Sequence, residues 1–125
     1  MPLRDYRDLT VWQAAMELAE RIYALTTCFP KTEQFGLSSQ IQRAAVSVPS
    51  NIAEGHARDS SKEYLRFISV AMGSLAELET QLLLAQRLNY LQPGETEGAM
   101  ELAAEVGRML RGLQKSLRSK LAPSP

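Results

Sequence analysis

The stretch SVPSNIAEGHAR, Ser47–Arg58, has two interpretations, and the choice between them decides the fold. A helix, a polar turn and a second short helix closing at Glu54-Gly55 would describe a helix-turn-helix regulator that reads DNA. The same residues would otherwise form one kinked helix inside a helical bundle. In a helix-turn-helix the chain reverses sharply, usually at a glycine, and the two helices bury different faces.

The spacing of apolar residues favours the single helix. No glycine stands near Val46-Ser47, where the turn would fall. At about 100° per residue, the apolar side chains on both sides of Pro49 share one sector, formed by Ile41, Ala45, Val48 and Ile52. A proline kinks a helix without ending it when packing continues on both sides. The sequence therefore predicts a continuous second helix, kinked at Pro49.

Apolar residues repeat at three-and-four spacing in four segments, and no segment alternates with the period of a strand. The segments predict helices at about 9–28, 33–57, 61–88 and 95–120, in a single domain of residues 1–125 with a disordered tail at 122–125. Because the connections are short, neighbouring helices should be antiparallel. The predicted fold is all-α, an antiparallel up-down-up-down four-helix bundle.

Local signals predict where the helices begin and end. Asp8 and Thr32 are the expected N-caps of the first two helices. Ser60 and Glu63 form a capping box before the third helix, and Asn89 can adopt the left-handed conformation after it. The first helix should bury a broad apolar stripe that comprises Leu9, Val11, Trp12, Met16, Leu18, Ala19, Ile22, Tyr23 and Leu25.

Composition excludes several classes of protein. The 125 residues include 14 basic and 14 acidic side chains, so the net charge is zero, whereas a dedicated nucleic-acid binder usually carries a basic excess. One cysteine, Cys28, and one histidine, His56, exclude an internal disulfide and a zinc site of four Cys or His ligands. Without a signal peptide or an apolar run of about 18 residues, the protein is expected to be soluble, cytoplasmic and free of membrane contact.

Three blocks of the sequence resemble a known family. They are DLTVWQAAMELAERIY, FPKTEQFGLSSQIQRAAVSVPSNIAEGHARDSSKEYLRF and GSLAELETQLLLAQRLNYL. They are similar to the four-helix-bundle proteins encoded in intervening sequences of bacterial 23S rRNA genes. The chain also resembles the accessory protein of diversity-generating retroelements, a ring-shaped homopentamer that is basic and binds nucleic acid and reverse transcriptase. The resemblance implies a ring-like homo-oligomer, with the pentamer as its example, and an association with RNA genes.

A polar ridge on the second helix includes positions that characterise the resemblance. The ridge lies away from the apolar stripe and consists of Arg43, Ser47, Ser50 or Asn51, and Glu54, and the family phrase also contains Pro49 and Gly55. A solvated helix face and an interface with another subunit both explain such a ridge. The sequence leaves these two interpretations open.

Glu79 falls inside the apolar sector of the third helix, where a carboxylate needs partners or a raised pKa. When residues are counted along the antiparallel helices from the turns, Ser38 and Tyr23 fall at about the same height along the bundle axis as Glu79. This predicts a polar cluster of Tyr23, Ser38 and Glu79. A structural hydrogen-bond network is favoured over a catalytic acid, because no second catalytic group is evident. A di-iron bundle needs two Glu-x-x-His pairs, which one histidine cannot supply. No catalytic residue, metal or cofactor is predicted.

The fourth helix carries a basic stripe formed by Arg108, Arg111, Lys115 and Arg118. Bases near the C-terminal end complement the helix dipole, and this explanation is favoured. The alternative is a phosphate-binding stripe that contacts RNA or DNA.

The third helix is apolar nearly all round, because Val70, Leu84 and Leu88 lie opposite its core face. Such a helix is usually buried on both sides, here by another copy of the chain. The sequence therefore predicts a non-enzymatic, homo-oligomeric scaffold. A nucleic-acid-binding accessory factor is the alternative, and a helix-turn-helix regulator is the less favoured one.

Overall fold

The computed structural model describes residues 5–121. Four α-helices and two short 3-10 turns account for most of this range, and it contains no strand. The helices are α1 (Thr10–Thr26), α2 (Leu37–His56), α3 (Ser61–Arg87) and α4 (Pro93–Leu121), and the 3-10 turns are Tyr6–Asp8 and Lys31–Glu33. The predicted tail at 122–125 lies outside the described residues.

Each helix packs against the next one along the chain, and α4 returns to pack against α1. Among the described residues, α1 and α3 share no close backbone approach, so they occupy diagonal corners of the bundle. Short connections make sequential helices antiparallel. The prediction of an all-α four-helix bundle is confirmed.

The core lies along the bundle axis, where all four helices contribute apolar side chains at three-and-four spacing. Its completely buried members include Ile22, Ile41, Ile52, Ile68, Leu78, Leu82, Val106 and Leu110. α1 turns Val11, Ala15, Leu18 and Ile22 toward this core. Met16 and Tyr23, which were expected in the same stripe, are exposed.

α2 runs without interruption from Leu37 to His56 and contains Pro49 in its interior. Val48, Pro49 and Ile52 are all buried, so the apolar stripe continues across the proline. The structure thus has no turn where the helix-turn-helix interpretation required one, and that interpretation is ruled out. The kink at Pro49 stays a prediction.

Two helices begin later than predicted because neighbouring turns take over the expected caps. Asp8 belongs to a 3-10 turn, so Leu9 is the N-cap and α1 begins at Thr10. α2 begins at Leu37, four residues after the predicted start, because the segment near Thr32 forms a second 3-10 turn.

The ends of α3 follow the local signals more closely. Ser60 Oγ accepts a hydrogen bond from the Glu63 amide at 3.1 Å, which caps the first turn. Asn89 adopts a left-handed φ of 63° after the last turn. The Tyr90 amide then donates to the Ala85 carbonyl at 2.9 Å, a bond typical of a Schellman C-cap.

α3 corrects the expectation that no segment resembles a membrane span. Among residues 5–121, Ser61–Arg87 is the one helix that is long and apolar enough to cross a membrane by length and composition. The core helix of a bundle meets the same criteria. α3 packs against both α2 and α4 and buries Ile68, Leu78 and Leu82 completely, so this membrane signal is weak.

Glu33 joins the start of α2 to the turn between α3 and α4. Its Oε1 accepts a hydrogen bond from the Leu37 amide at 3.0 Å, and its Oε2 accepts one from the Tyr90 hydroxyl at 2.8 Å. The amide bond first, and the tyrosine bond second, lower the pKa of the Glu33 carboxyl below its ordinary value. The ionised carboxylate therefore caps α2 and fixes two turns at one end of the bundle.

This cap predicts a pH-dependent contribution to stability. Because the folded pKa of Glu33 is lower than the unfolded pKa, its contribution is present above the unfolded value of about 4.3 and is lost as pH falls through the folded value. We expect Glu33→Gln to unfold at lower urea concentration than the wild type at pH 7. The difference should shrink below about pH 4.3. A difference between the two urea midpoints that stays constant from neutral to acidic pH would contradict the assignment.

Candidate interaction surfaces

An apolar groove lies on the outside of the bundle between α1 and α2. Its volume is ≈ 570 Å³, and its lining comprises Tyr6, Trp12, Met16, Ala19, Glu20, Tyr23, Val46, Pro49, Ser50 and Ala53. We call it the α1–α2 groove. Eight of these ten residues are apolar or aromatic, and Glu20 and Ser50 supply the polar side chains. Grooves of this size and character are typical of binding sites.

The residues of the groove follow from the helical period of both helices. Trp12, Met16 and Tyr23 recur at intervals of four and seven on α1. Val46 and Pro49 occupy the facing side of α2. The apolar arc of α1 is wider than the roughly 100° that a core-facing stripe needs, so its outer edge stays outside the bundle.

The groove is exposed although it is apolar. Met16, Val46 and Tyr23 keep 37%, 43% and 48% of their surface exposed. The Tyr6 and Trp12 rings meet edge to face with centroids 5.4 Å apart and line one end of the groove. Contiguous apolar surface of this kind marks interaction sites.

A second group of exposed apolar side chains lies at the end of the bundle where α2 begins and α3 ends. We call it the Phe35 patch, and it consists of Phe35, Leu84 and Leu88. Phe35 lies in the turn before α2 and is 90% exposed, while Leu84 and Leu88 are 43% and 44% exposed. The hydrogen bond between Tyr90 and Glu33 joins the turn that carries Phe35 to the turn that follows Leu88 at the end of α3. Val70, in the N-terminal half of α3 and away from this end of the bundle, is also exposed.

The structure divides the predicted polar ridge of α2 into two parts. Ser47 and Asn51 are half-buried and belong to a network between α2 and α3. The Ser47 and Ser74 hydroxyls share a hydrogen bond of 2.7 Å, and Asn51 Nδ2 donates to the Ser47 carbonyl at 2.8 Å and to its hydroxyl at 2.9 Å. Arg43 and Glu54 are exposed, and neither forms an ion pair within residues 5–121.

Pro49 and Gly55, the other members of the family phrase on α2, are both buried. Pro49 lines the α1–α2 groove. Gly55 lies where the end of α2 meets α3, and a Cβ added there would lie 2.8 Å from Phe67 Cβ. Both residues therefore shape helix packing.

The predicted cluster of Tyr23, Ser38 and Glu79 is not brought together. Tyr23 and Ser38 line one shallow groove beside α1 and α2. Glu79 lines a separate groove of ≈ 370 Å³ between α3 and α4. No hydrogen bond within residues 5–121 joins Glu79 to either residue. The prediction placed the three residues at a similar height along the bundle axis. Tyr23, however, lies on α1, diagonally opposite α3, and Glu79 faces α4 and not the α2 helix that carries Ser38.

The basic stripe lies on the outer face of α4. Arg108, Arg111, Lys115 and Arg118 are all exposed, and none has an ion-pair partner within residues 5–121. Arg108 and Arg111 also line the groove that holds Glu79. The stripe is therefore accessible to solvent and to a binding partner. This accessibility is compatible with a favourable interaction between the four cations and the dipole of α4.

Within residues 5–121, no three His, Cys, Asp or Glu side chains are placed to hold a metal ion. His56 is half-buried and its ring meets Tyr64 edge to face, with centroids 5.8 Å apart. Burial raises the pKa of the Tyr64 hydroxyl. The surfaces that stand out are apolar and basic.

Sequence reasoning missed the α1–α2 groove and Phe35. It assigned Trp12, Met16 and Tyr23 to the core. Trp12 does pack against the core, but Met16 and Tyr23 are exposed. Periodicity places a residue on a face without showing how far the neighbouring helices cover that face. The width of the apolar arc on α1 was the available signal. Phe35 lies in a turn, where periodicity carries no information.

Comparisons with protein-family models and with solved structures both relate the chain to one family. A family model described as 23S rRNA-intervening sequence protein matches residues 7–112. A solved structure of a protein with unknown function from the S23 ribosomal protein family of Bacteroides thetaiotaomicron is similar, with 25% sequence identity and a TM-score of 0.76. The match covers 85% of this chain and 99% of that one. No curated protein matches the chain.

Proposed function

The chain belongs to the 23S rRNA-intervening sequence protein family, and from that premise we propose that it is a homo-oligomeric scaffold that acts through protein contacts and not through catalysis. The observation that supports this proposal is the exposed α1–α2 groove. Its apolar side chains find no cover within residues 5–121. We propose that a second copy of the chain covers these side chains, because other copies are always available as binding partners.

The exposed apolar side chains of the groove indicate how much their burial would contribute to a contact. Fully burying a large apolar side chain contributes about 1.5–3 kcal/mol. Met16, Tyr23 and Val46 are each more than one-third exposed. Completing their burial would contribute on the order of 2–4 kcal/mol to each contact. Further contacts around the groove, repeated by symmetry, would stabilise a closed assembly.

Light scattering coupled to size-exclusion chromatography tests the proposal. We expect the wild type to have a mass that is a multiple of its 13.9 kDa subunit, and five subunits would match the ring that the family resemblance suggests. Val46→Glu places a charge in the groove and should give monomers. Leu83→Glu is the matched control, because Leu83 is 48% exposed but lies outside the groove and the Phe35 patch. A monomeric wild type would refute the proposal.

The accessible stripe on α4 supports a second candidate function, a nucleic-acid-binding accessory factor. Its four cations have no acidic partner within residues 5–121, so they are free to contact phosphates. The neutral net charge of the chain confines such binding to this surface. No aromatic side chain interrupts the stripe, so binding should be weak in sequence preference.

Fluorescence anisotropy with structured RNA and duplex DNA tests this candidate. We expect binding to weaken steeply between about 50 and 200 mM salt, because each phosphate contact releases counterions. Arg111→Glu should weaken binding about tenfold at the lower salt and reduce the salt slope by about one. Lys31→Glu is the control, since Lys31 is an exposed cation at the opposite end of the bundle. Equal losses in both variants would exclude the stripe as the binding surface.

We further propose that the protein works in the cytoplasm. Cys28 is an exposed free thiol, which suits a reducing compartment. The one helix with the apolar length of a membrane span, α3, packs within the bundle.

A further inference from the structure

We infer that the Phe35 patch of one copy docks into the α1–α2 groove of a second copy. This inference rests on the proposed homo-oligomer and assigns the two surfaces that meet in it. The two surfaces belong to different parts of the chain, so the contact is head-to-tail. It differs from a two-fold contact, in which one surface would meet itself.

Phe35 has the properties of an anchor residue. It is the most exposed of the large apolar side chains in residues 5–121, at 90%. Burying an aromatic ring contributes a large apolar area at a small cost in side-chain entropy, because it has two rotatable torsions. Aromatic side chains of this kind dominate the energetics of many interfaces.

The turn that carries Phe35 is held in place. Glu33, two residues earlier, bonds to Leu37 on one side and to Tyr90 on the other. A Cβ added at Gly36 would lie 2.6 Å from Glu33 Oε1, so the carboxylate closes against the backbone of the turn. A preorganised anchor loses little conformational entropy on binding.

Leu84 and Leu88 extend the anchor into a patch. They lie one turn apart at the end of α3 and are both nearly half exposed. The Tyr90 to Glu33 hydrogen bond places this end of α3 beside the turn that carries Phe35. The three side chains therefore offer an apolar surface at one end of the bundle.

The α1–α2 groove suits an aromatic guest. Trp12 and Tyr6 line one end, and Met16 lies farther along α1. Methionine adapts its shape and its sulfur contacts aromatic rings favourably. The volume of ≈ 570 Å³ leaves room for Phe35 together with leucine side chains.

The charges beside the two surfaces are complementary. Glu20 lines the groove, and Arg87 follows Leu84 by three residues on α3, which makes the two side chains neighbours on the helix surface. Both side chains are exposed, and neither forms an ion pair within residues 5–121. Opposite charges at the rim of an interface favour the correct partner and its orientation. A second copy supplies the charge that each surface lacks.

A complementation experiment tests the head-to-tail contact. Val46→Glu disables the groove and leaves the Phe35 patch intact, whereas Phe35→Glu does the reverse. Both positions are exposed, so both variants should fold, which circular dichroism verifies. We expect each variant alone to be monomeric by analytical ultracentrifugation. Their equimolar mixture should form a dimer of two 13.9 kDa subunits, because one intact patch meets one intact groove.

The possible results separate the two proposals. The head-to-tail contact is overturned, while the homo-oligomer stands, if Phe35→Glu keeps the mass of the wild type. It is also overturned if the mixture stays monomeric far above the concentration at which the wild type assembles, a margin that is needed because the mixed dimer has one contact and a closed ring has two per subunit. If the wild type is itself monomeric, both are overturned. Leu83→Glu controls for a general effect of an added surface charge. Because it keeps both the patch and the groove, it should retain the mass of the wild type.

Discussion

Leu82→Ala is expected to lower the free energy of unfolding by about 2–5 kcal/mol, the range measured for leucines in well-packed cores. Leu82 is 0% exposed and lies among core residues of all four helices. Removing its branched end would leave a cavity that rigid neighbouring helices cannot close fully. A loss of this size is a large part of the stability of a small domain.

Leu83→Ala is the matched control, because it makes the same chemical change one residue later on the same helix. Leu83 is 48% exposed, so its truncation should change stability by no more than about 0.5 kcal/mol. Urea unfolding followed by circular dichroism measures both variants at one protein concentration, since assembly links stability to concentration. Similar losses at the two positions would mean that α3 is rotated differently in solution.

Gly55→Ala is expected to cost about 1–3 kcal/mol through overpacking. The added Cβ would lie 2.8 Å from Phe67 Cβ, 2.9 Å from Tyr64 Cδ1 and 3.3 Å from the Tyr64 carbonyl oxygen. A Cβ and a backbone oxygen cannot move away without moving α3. This cost should exceed the gain of about 1 kcal/mol that alanine brings to a helix interior.

Gly73→Ala separates helix propensity from packing. Nothing lies within 4 Å of a Cβ added at Gly73, which is in the middle of α3. This variant should therefore be more stable than the wild type by about 0.5–1 kcal/mol. Gly55→Ala should therefore lower the urea midpoint of unfolding, and Gly73→Ala should raise it. A stabilised Gly55→Ala variant would refute the close approach of α2 to α3.

The class of fold was predictable because its signals are repeated along the chain. Each helix shows several turns of three-and-four spacing, so an error at one residue does not change the assignment. The continuity of α2 through Pro49 was predictable for the same reason, since apolar residues keep their phase on both sides. The left-handed conformation of Asn89 was predictable because asparagine is one of the few residues that tolerate a positive φ.

The start of α2 was less predictable because a distant residue decides it. Glu33 accepts a hydrogen bond from Tyr90, 57 positions away in the sequence. Thr32 satisfies the local rule for an N-cap, yet the segment around it forms a 3-10 turn and Glu33 caps the helix that follows. Local propensity gives way where a tertiary hydrogen bond stabilises a different start.

The candidate surfaces were only partly predictable. The outward position of Leu84 and Leu88 followed from the period of α3, and the structure agrees. Glu79 was assigned to the correct helix, but its side chain lines a groove with α4 and not with the predicted partners on α1 and α2. Height along the axis can be counted from the turns, whereas the corner that each helix occupies depends on all four helices together.

The sequence by itself determined that four helices form, and that α2 does not break at Pro49. Helix formation depends on hydrogen bonds and contacts between residues at most four positions apart, so the information is local. The tertiary structure alone decided the exact rotation of α3, which buries Leu82 and leaves its neighbour Leu83 exposed. It also left the α1–α2 groove open. Burial depends on helices that are distant in the sequence, and no local pattern specifies how far they cover one another.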